Sequence, residues 1–162
     1  MLITGGAGFI GSNLAKIARE MGWKVTILDN LSSSLDTNLN QLESLGIEVI
    51  IGDIRVQSIL NKCLIGITTV VHLAAQVSVP MSVKNPEETM RINVKGTQNV
   101  IQACLENNVR RLVVASSAAV YGEVDSLPLN EDAAGELLSP YAESKWVNEQ
   151  QIVDARSIGL EA

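Results

Sequence analysis

The sequence predicts an α/β fold built on a doubly wound parallel sheet, and three observations carry that expectation. Short β-branched runs alternate with longer stretches of helical periodicity, two of the runs are apolar at consecutive positions, and the first run leads straight into a cluster of glycines. Alternation of strand and helix with short connections implies parallel strands joined by right-handed crossovers. A strand that is apolar on both faces belongs in a sheet covered on both sides. The expected strand order is 3-2-1-4-5, within one domain spanning residues 1–162.

Five segments read as strands: Met1–Thr4, Lys24–Leu28, Glu48–Ile51, Thr69–Leu73 and Arg111–Ala115. Val70, Val71 and Leu73, and likewise Leu112, Val113 and Val114, are the continuous apolar runs. In the first helical segment Ile10, Leu14, Ile17, Ala18 and Met21 share one face of a 3.6-residue repeat and are expected to face the core. Val94, Thr97, Ile101, Cys104 and Leu105 repeat that spacing. A further helix is expected to open at Ser139–Pro140 and run through Trp146 and Ile152, with proline suited to its first turn. No internal repeat, low-complexity linker or second-domain boundary is visible.

Composition narrows the function. Apolar residues make up 46% of the chain and charged residues 19%, against 3% aromatics, which suits helices packed closely over a parallel sheet. A net charge of −6 argues against a sequence-independent grip on nucleic acid or on an anionic membrane. Cys63 and Cys104 lie far apart without ligand spacing and read as reduced, buried thiols, so no metal site is expected. No charged leader precedes an apolar run, and none approaches the ~18 residues of a membrane helix. A cytoplasmic location is therefore expected.

The first strand runs into Thr4-Gly5-Gly6-Ala7-Gly8-Phe9-Ile10-Gly11, where a helix opens. Strand, glycines, helix is the context in which a glycine motif carries meaning. Glycine allows the tight turn and lets backbone approach a pyrophosphate, while the helix N-terminus offers unpaired N–H groups and a partial positive charge. Gly5, Gly8 and Gly11 are the candidate phosphate-loop residues; the bland alternative is a glycine-rich turn without a ligand. Asp29 ends the second strand, where a carboxylate can accept hydrogen bonds from an adenosine ribose diol. Its charge would repel a 2′-phosphate, so NAD rather than NADP is the expected cofactor.

Tyr141-Ala142-Glu143-Ser144-Lys145 sets a phenol and an ammonium one turn apart on one helix face. A free phenol titrates near ~10 and is a poor base at neutral pH, but a neighbouring cation favours the phenolate. A phenolate so poised can take a hydroxyl proton while hydride leaves the same carbon. Ser116 and Ser117 follow the fifth strand, at the carboxyl edge of the sheet where ligands sit in such folds, and Ser117 could hydrogen-bond that hydroxyl. Taken alone, Tyr-x-x-x-Lys is a weak pattern.

These segments occur in one order along the chain: TGGAGFIG, LDN, GDI, HLAA, INVKGT, SSAAVYG and SPYAESK. In that order they resemble the extended short-chain dehydrogenase/reductases, the NAD-dependent epimerase/dehydratase family with a Rossmann fold. The resemblance implies that Phe9 and Ile10 line the pyrophosphate, that Asp29 and Asn30 hold the adenosine ribose, and that Asp53 and Ile54 flank the adenine. It further implies that Leu73, Ala74, Ala75 and Gln76 border the cofactor and that Asn93 supports it. Ser117, Tyr141 and Lys145 match the family's catalytic trio, the last two also touching the cofactor, while Ser78, Val79 and Ser117 fall where members contact the sugar.

Within that family, dehydratases carry an Asp-Glu pair directly after the Ser or Thr, where this chain has Ala118 and Ala119. Alanine moves no protons, so dehydration is disfavoured. SSAAVYG and LSPYAESKWVNE are most similar to UDP-hexose 4-epimerases, with UDP-glucuronate decarboxylases and sugar reductases as alternatives. Members run to about twice this length, which implies a chain cut short before the later strands and without the substrate domain that clamps the UDP-sugar. An NAD-binding fragment without independent catalysis is thus a second reading. The helices at about 88–107 and 140–157 imply a homodimer, and the missing strand implies an uncovered sheet edge and an apolar helix face. His72, the only histidine, is read as a structural imidazole, and Glu87-Glu88 and Glu131-Asp132 as solvated helix starts.

Overall fold

The computed structural model describes residues 1–124, 127–131 and 135–162, so Asp132 lies outside the described residues. Its five strands are β1 (Leu2–Thr4), β2 (Thr26–Asp29), β3 (Glu48–Ile51), β4 (Thr69–His72) and β5 (Arg111–Val114). All neighbours pair in parallel, in the order β3-β2-β1-β4-β5 that the sequence predicts. Ile3 stands level with Ile27 on one side and with Val71 on the other, and Val71 stands level with Val113.

Strand side chains alternate between two cores. Leu2, Leu28, Val70 and Leu112 pack beneath α3 (Gln57–Cys63) and α6 (Gly96–Glu106), joined by Ala155 and Leu160 from α7 (Pro140–Ser157) and its C-terminal extension. Ile3 and Ile27 pack on the other side with Ala15 and Ala18 of α1 (Phe9–Glu20) and Leu42 of α2 (Asp36–Ser44). Cys63 and Cys104 are free and buried in the first of these cores, and burial pushes the Cys104 thiol up to about 12.

Two expectations about this packing are corrected. The stripe Ile10, Leu14, Ile17, Met21 does not face the sheet: α1 packs through Gly11, Ser12, Ala15 and Ala18, whereas Ile10, Ile17 and Met21 are exposed. Small residues let the helix lie close on β1, and the larger apolar ones are turned aside. The apolar run of β5 is likewise not covered on both sides, because Leu112 is buried and Val113 is half exposed.

Between α5 (Pro86–Met90) and α6 the chain makes a π-helical turn, Arg91–Lys95, so that residues 86–106 form one rod. The wider turn needs help from outside. Asn148 Nδ2 donates to the Asn93 carbonyl at 3.0 Å and Gln151 Nε2 to the Val94 carbonyl at 3.1 Å, both from α7. Asn85 caps α5 through the Glu88 N–H. Glu88 is not merely solvated: it accepts from Arg55 at 2.9 Å and from Arg91 at 2.7 Å. α7 begins as its sequence implies, with Ser139 Oγ accepting the Ala142 N–H and Pro140 in the first turn. Among the described residues no helix is long and apolar enough to cross a membrane.

Candidate functional site

Every strand delivers a candidate residue at its carboxyl end, so the loops after β1 to β5 form one continuous ridge. The glycines of the first loop divide their tasks. Gly5 has φ of +67°, in the left-handed region, and a Cβ there would lie 2.6 Å from Ala74 N. A Cβ on Gly11 would lie 2.5 Å from both Gly5 O and Gly6 Cα. Gly6, which the sequence reading did not single out, fits against Ile27, 2.6 Å from an added Cβ. Gly8 differs: only Gly5 O, at 3.3 Å, stands near its missing side chain. Gly8 caps α1 without a side chain, and the N–H groups of the first turn have no carbonyl within the helix to receive them. This open cradle fits a pyrophosphate.

Those roles separate under mutation. Gly11→Ala is expected to cost about 1–3 kcal/mol through overpacking, a fall of roughly 2–12 °C in Tm. Gly8→Ala should leave Tm within about 2 °C and instead weaken dinucleotide binding at least about tenfold, a loss of ~1.4 kcal/mol. Thermal melting and a dinucleotide titration on both variants check this, and unchanged affinity in Gly8→Ala would remove the cradle from the site.

Asp29 does two things. Its Oδ2 accepts the Ala7 N–H at 2.9 Å and its Oδ1 the Leu31 N–H at 2.8 Å, so it pins the glycine loop while each oxygen keeps a lone pair for a diol. Asn38 Nδ2 braces the same loop from α2, donating to the Ala7 carbonyl at 2.9 Å. Asn30 is exposed beside Asp29, its Oδ1 accepting the Ser32 N–H. Asp53 is held by Arg55 at 2.6 Å, and the guanidinium keeps its carboxyl below the usual carboxylate range. Ile54 is buried under it.

After β4, Leu73, Ala74, Ala75 and Gln76 are each partly buried along the ridge. Asn93 clips this segment from the π-helical turn: its Oδ1 accepts the Gln76 N–H at 2.8 Å and its Nδ2 donates to the Gln76 carbonyl at 3.0 Å. The same Nδ2 donates to Ser144 Oγ at 2.9 Å, and Ser144 donates on to the Tyr141 carbonyl. Buried Gln76 Oε1 has no partner within the protein, an acceptor that a bound ligand's donor would satisfy. Ser78 opens the short helix α4 (Val79–Lys84) by accepting the Met81 N–H, and Val79 is exposed beside it.

Ser117 follows β5 and accepts the Ala119 N–H at 3.2 Å, heading the 3₁₀ turn Ala118–Tyr121 that packs on α7. Ser116 instead donates to Glu149 of α7. Tyr141 and Lys145 are both buried, one turn apart on that helix. Lys145 Nζ donates to the Ala115 carbonyl at 3.0 Å, fastening α7 to the end of β5, and burial lowers its ammonium pKa. His72 is structural, as expected: its ring lies 2.6 Å from Thr4 Oγ1 and 2.9 Å from Thr97 Oγ1. Burial first and the Lys145 charge second depress its pKa to about 3, so the imidazole is neutral. Thr4, Thr97, Asn148 and Gln151 were not singled out from sequence; lone polar residues in apolar periodicity are the only trace they leave there.

The model of the NAD dependent epimerase/dehydratase family matches residues 1–161. A UDP-glucose 4-epimerase of Streptomyces lividans is 37% identical over 165 residues, covering 99% of this chain and 49% of that protein. A Thermus thermophilus UDP-glucose 4-epimerase, solved as a complex with NAD, superposes with a TM-score of 0.90 at 35% identity, over 98% of this chain and 51% of that one. A UDP-N-acetylglucosamine 4-epimerase of Methanobrevibacter ruminantium is similar, with a TM-score of 0.89 at 37% identity over the same shares. This chain spans about half the length of these relatives. With the match running almost from end to end and the dinucleotide cradle built in the same strand order, the chain belongs to the NAD dependent epimerase/dehydratase family.

Proposed function

We propose that this chain is the cofactor-binding and proton-transfer half of an NAD-dependent UDP-hexose 4-epimerase, acting in the cytoplasm. The observation that carries the reading is the coupling of two sites through Asn93, which ties the Gln76 segment on the dinucleotide side to Ser144 on the helix that bears Tyr141 and Lys145. NAD, when bound, supplies a reversible acceptor for the hydride at the sugar's C4. Gly8 and the first turn of α1 would hold its pyrophosphate, Asp29 and Asn30 the adenosine ribose, Asp53 and Ile54 the adenine side, and Leu73–Gln76 the inner edge.

The chain's own residues then manage the proton. Ser117 directs the 4-hydroxyl toward Tyr141, whose phenolate oxygen takes the hydroxyl proton as the sugar is oxidised to the 4-keto state. Lys145, anchored on the Ala115 carbonyl, supplies the positive charge that favours the phenolate. Returning the proton to the opposite epimer reverses the same step. Ser78 and Val79 border the sugar, and Ala118 and Ala119 offer no second acid–base pair, which favours epimerisation over dehydration. The rods formed by residues 88–107 and 140–157 are the surfaces through which two copies would pair.

A proton NMR time course with NAD and UDP-galactose tests the reading, with NAD titration on the same sample. Saturable NAD binding and appearance of the gluco epimer are expected. Failure to bind NAD would sink the proposal. The length of the relatives favours a second reading, a cofactor-binding half that needs another piece, for which NAD binding without epimer is the signature.

A further inference from the structure

The displaced stripe on α1 and the bare side of β5 belong to one surface. Arg19 shares a surface depression with Gly46 and Glu48, so that flank of α1 looks toward α2 and β3. Ile10, Leu14, Ile17 and Met21 occupy the opposite flank, which looks across β4 toward β5. Leu14, Val71 and Leu73 are partly buried against the same core. Moving outward through the register, Ile3 is buried, Val71 half-buried and Val113 48% exposed. Beside them stand Ile10 at 64%, Ile17 at 54% and Met21 at 73% exposure. The result is an apolar trough, walled by α1 and floored by the sheet.

The far edge shows that the sheet continues. Glu161 bridges Arg111 in parallel, and its carbonyl accepts the Leu112 N–H at 2.8 Å, so β5 is built to have an outer neighbour. Parallel sheets that continue in this way are covered on both faces, and the cover is an apolar-faced helix. On the α6 side α7 supplies it; on the α1 side, among the described residues, β4 and β5 have no cover. The relatives carry a further half of comparable length.

We propose that this trough is the docking surface for an apolar-faced helix from a second-half polypeptide of the kind those relatives carry, which at the same time extends the sheet beyond β5. The choice of partner rests on the reading of this chain as one half of such an epimerase; the trough itself does not. α1 thereby becomes a central helix of the assembled enzyme, and its 3.6-residue apolar repeat describes a surface buried only there.

The test is co-expression of this chain with the second half of the Thermus thermophilus enzyme, read by size-exclusion chromatography with light scattering and by a binding titration. A one-to-one complex is expected. Ile17→Asp and Met21→Asp, exposed positions whose substitution leaves the isolated fold intact by circular dichroism, should each weaken it at least about tenfold. Glu20→Ala, on the exposed face of the same helix, should leave it unchanged. Absence of a complex would overturn the proposal, as would a complex indifferent to both aspartates. So would self-association of this chain that Ile17→Asp dissolves, since a second copy would then be the occupant. NAD titration of the same preparations separates the two claims: a complex without NAD binding refutes the functional reading and leaves the docking surface standing.

Discussion

Tyr141→Phe is expected to lower the rate of UDP-galactose epimerisation by about 10²–10⁴-fold, the range for loss of a positioned acid–base group, while NAD affinity changes less than about threefold. The argument is geometric. Tyr141 is buried in the first turn of α7, a helix end fixed by the Ser139 cap and by the Ser144–Asn93 hydrogen bond. Removing one oxygen leaves that frame intact, because the Tyr141 carbonyl, and not its phenol, receives Ser144. Lys145→Met should be costlier in a different way. It removes the charge beside the phenol and also the donor to the Ala115 carbonyl, so Tm should fall as well as rate. Rates are measured on the chain, supplied with a relative's second half where it does not turn over alone. A Tyr141→Phe variant that retains more than about a tenth of the rate would move the proton transfer to another group.

Asn93 shows why such a site is only partly legible beforehand. Its side chain makes three hydrogen bonds to two distant segments, and its carbonyl is received by Asn148. None of these partners lies within 15 residues of it in sequence, so spacing alone could not reveal them. Glycines and strand ends were readable because backbone geometry demands particular residues there, as Gly5 at its left-handed φ illustrates. Asp29 was readable as a ribose ligand from its place after a strand, but not as the acceptor that pins Ala7. The π-helical turn left no signal at all, since its displaced carbonyls are served by α7 from the other end of the chain.

The α1 stripe was misassigned for a different reason. Periodicity reports that a face is apolar and says nothing about which body buries it. Ala15 and Ala18 make the contact with the sheet, where close approach matters more than volume, and the bulkier Ile17 and Met21 are left on the outer flank. The same holds for Val113, whose apolar neighbours implied two covered faces. Five strands and their order followed from runs and alternation; the extent of the burial could not, because it depends on what lies beyond β5.

His72 sets the remaining prediction, in the acid stability of the fold. The ring is neutral and buried between Thr4 and Thr97, with its pKa depressed to about 3 by burial and, secondarily, by Lys145. In the unfolded chain it titrates near ~6.5. Because the folded value is the lower one, the unfolded state binds the extra proton between these limits. The stabilisation is therefore complete above the unfolded pKa and is lost as pH falls toward the folded one, at about 1.4 kcal/mol per pH unit. Between pH 7 and pH 5 the expected loss is about 2 kcal/mol, or a fall of roughly 4–8 °C in Tm for a domain of this size. Carboxylates such as Asp53, held below its usual value by Arg55, add their own losses mainly below about pH 4.5. The upper window thus belongs to the chain's single histidine. His72→Gln should be less stable at neutral pH, having lost an imidazole that bridges two threonines, yet its stability should be nearly flat from pH 7 to pH 5. Urea unfolding at several pH values distinguishes these slopes. Equal slopes in the two proteins would mean that His72 takes up its proton without leaving the folded state.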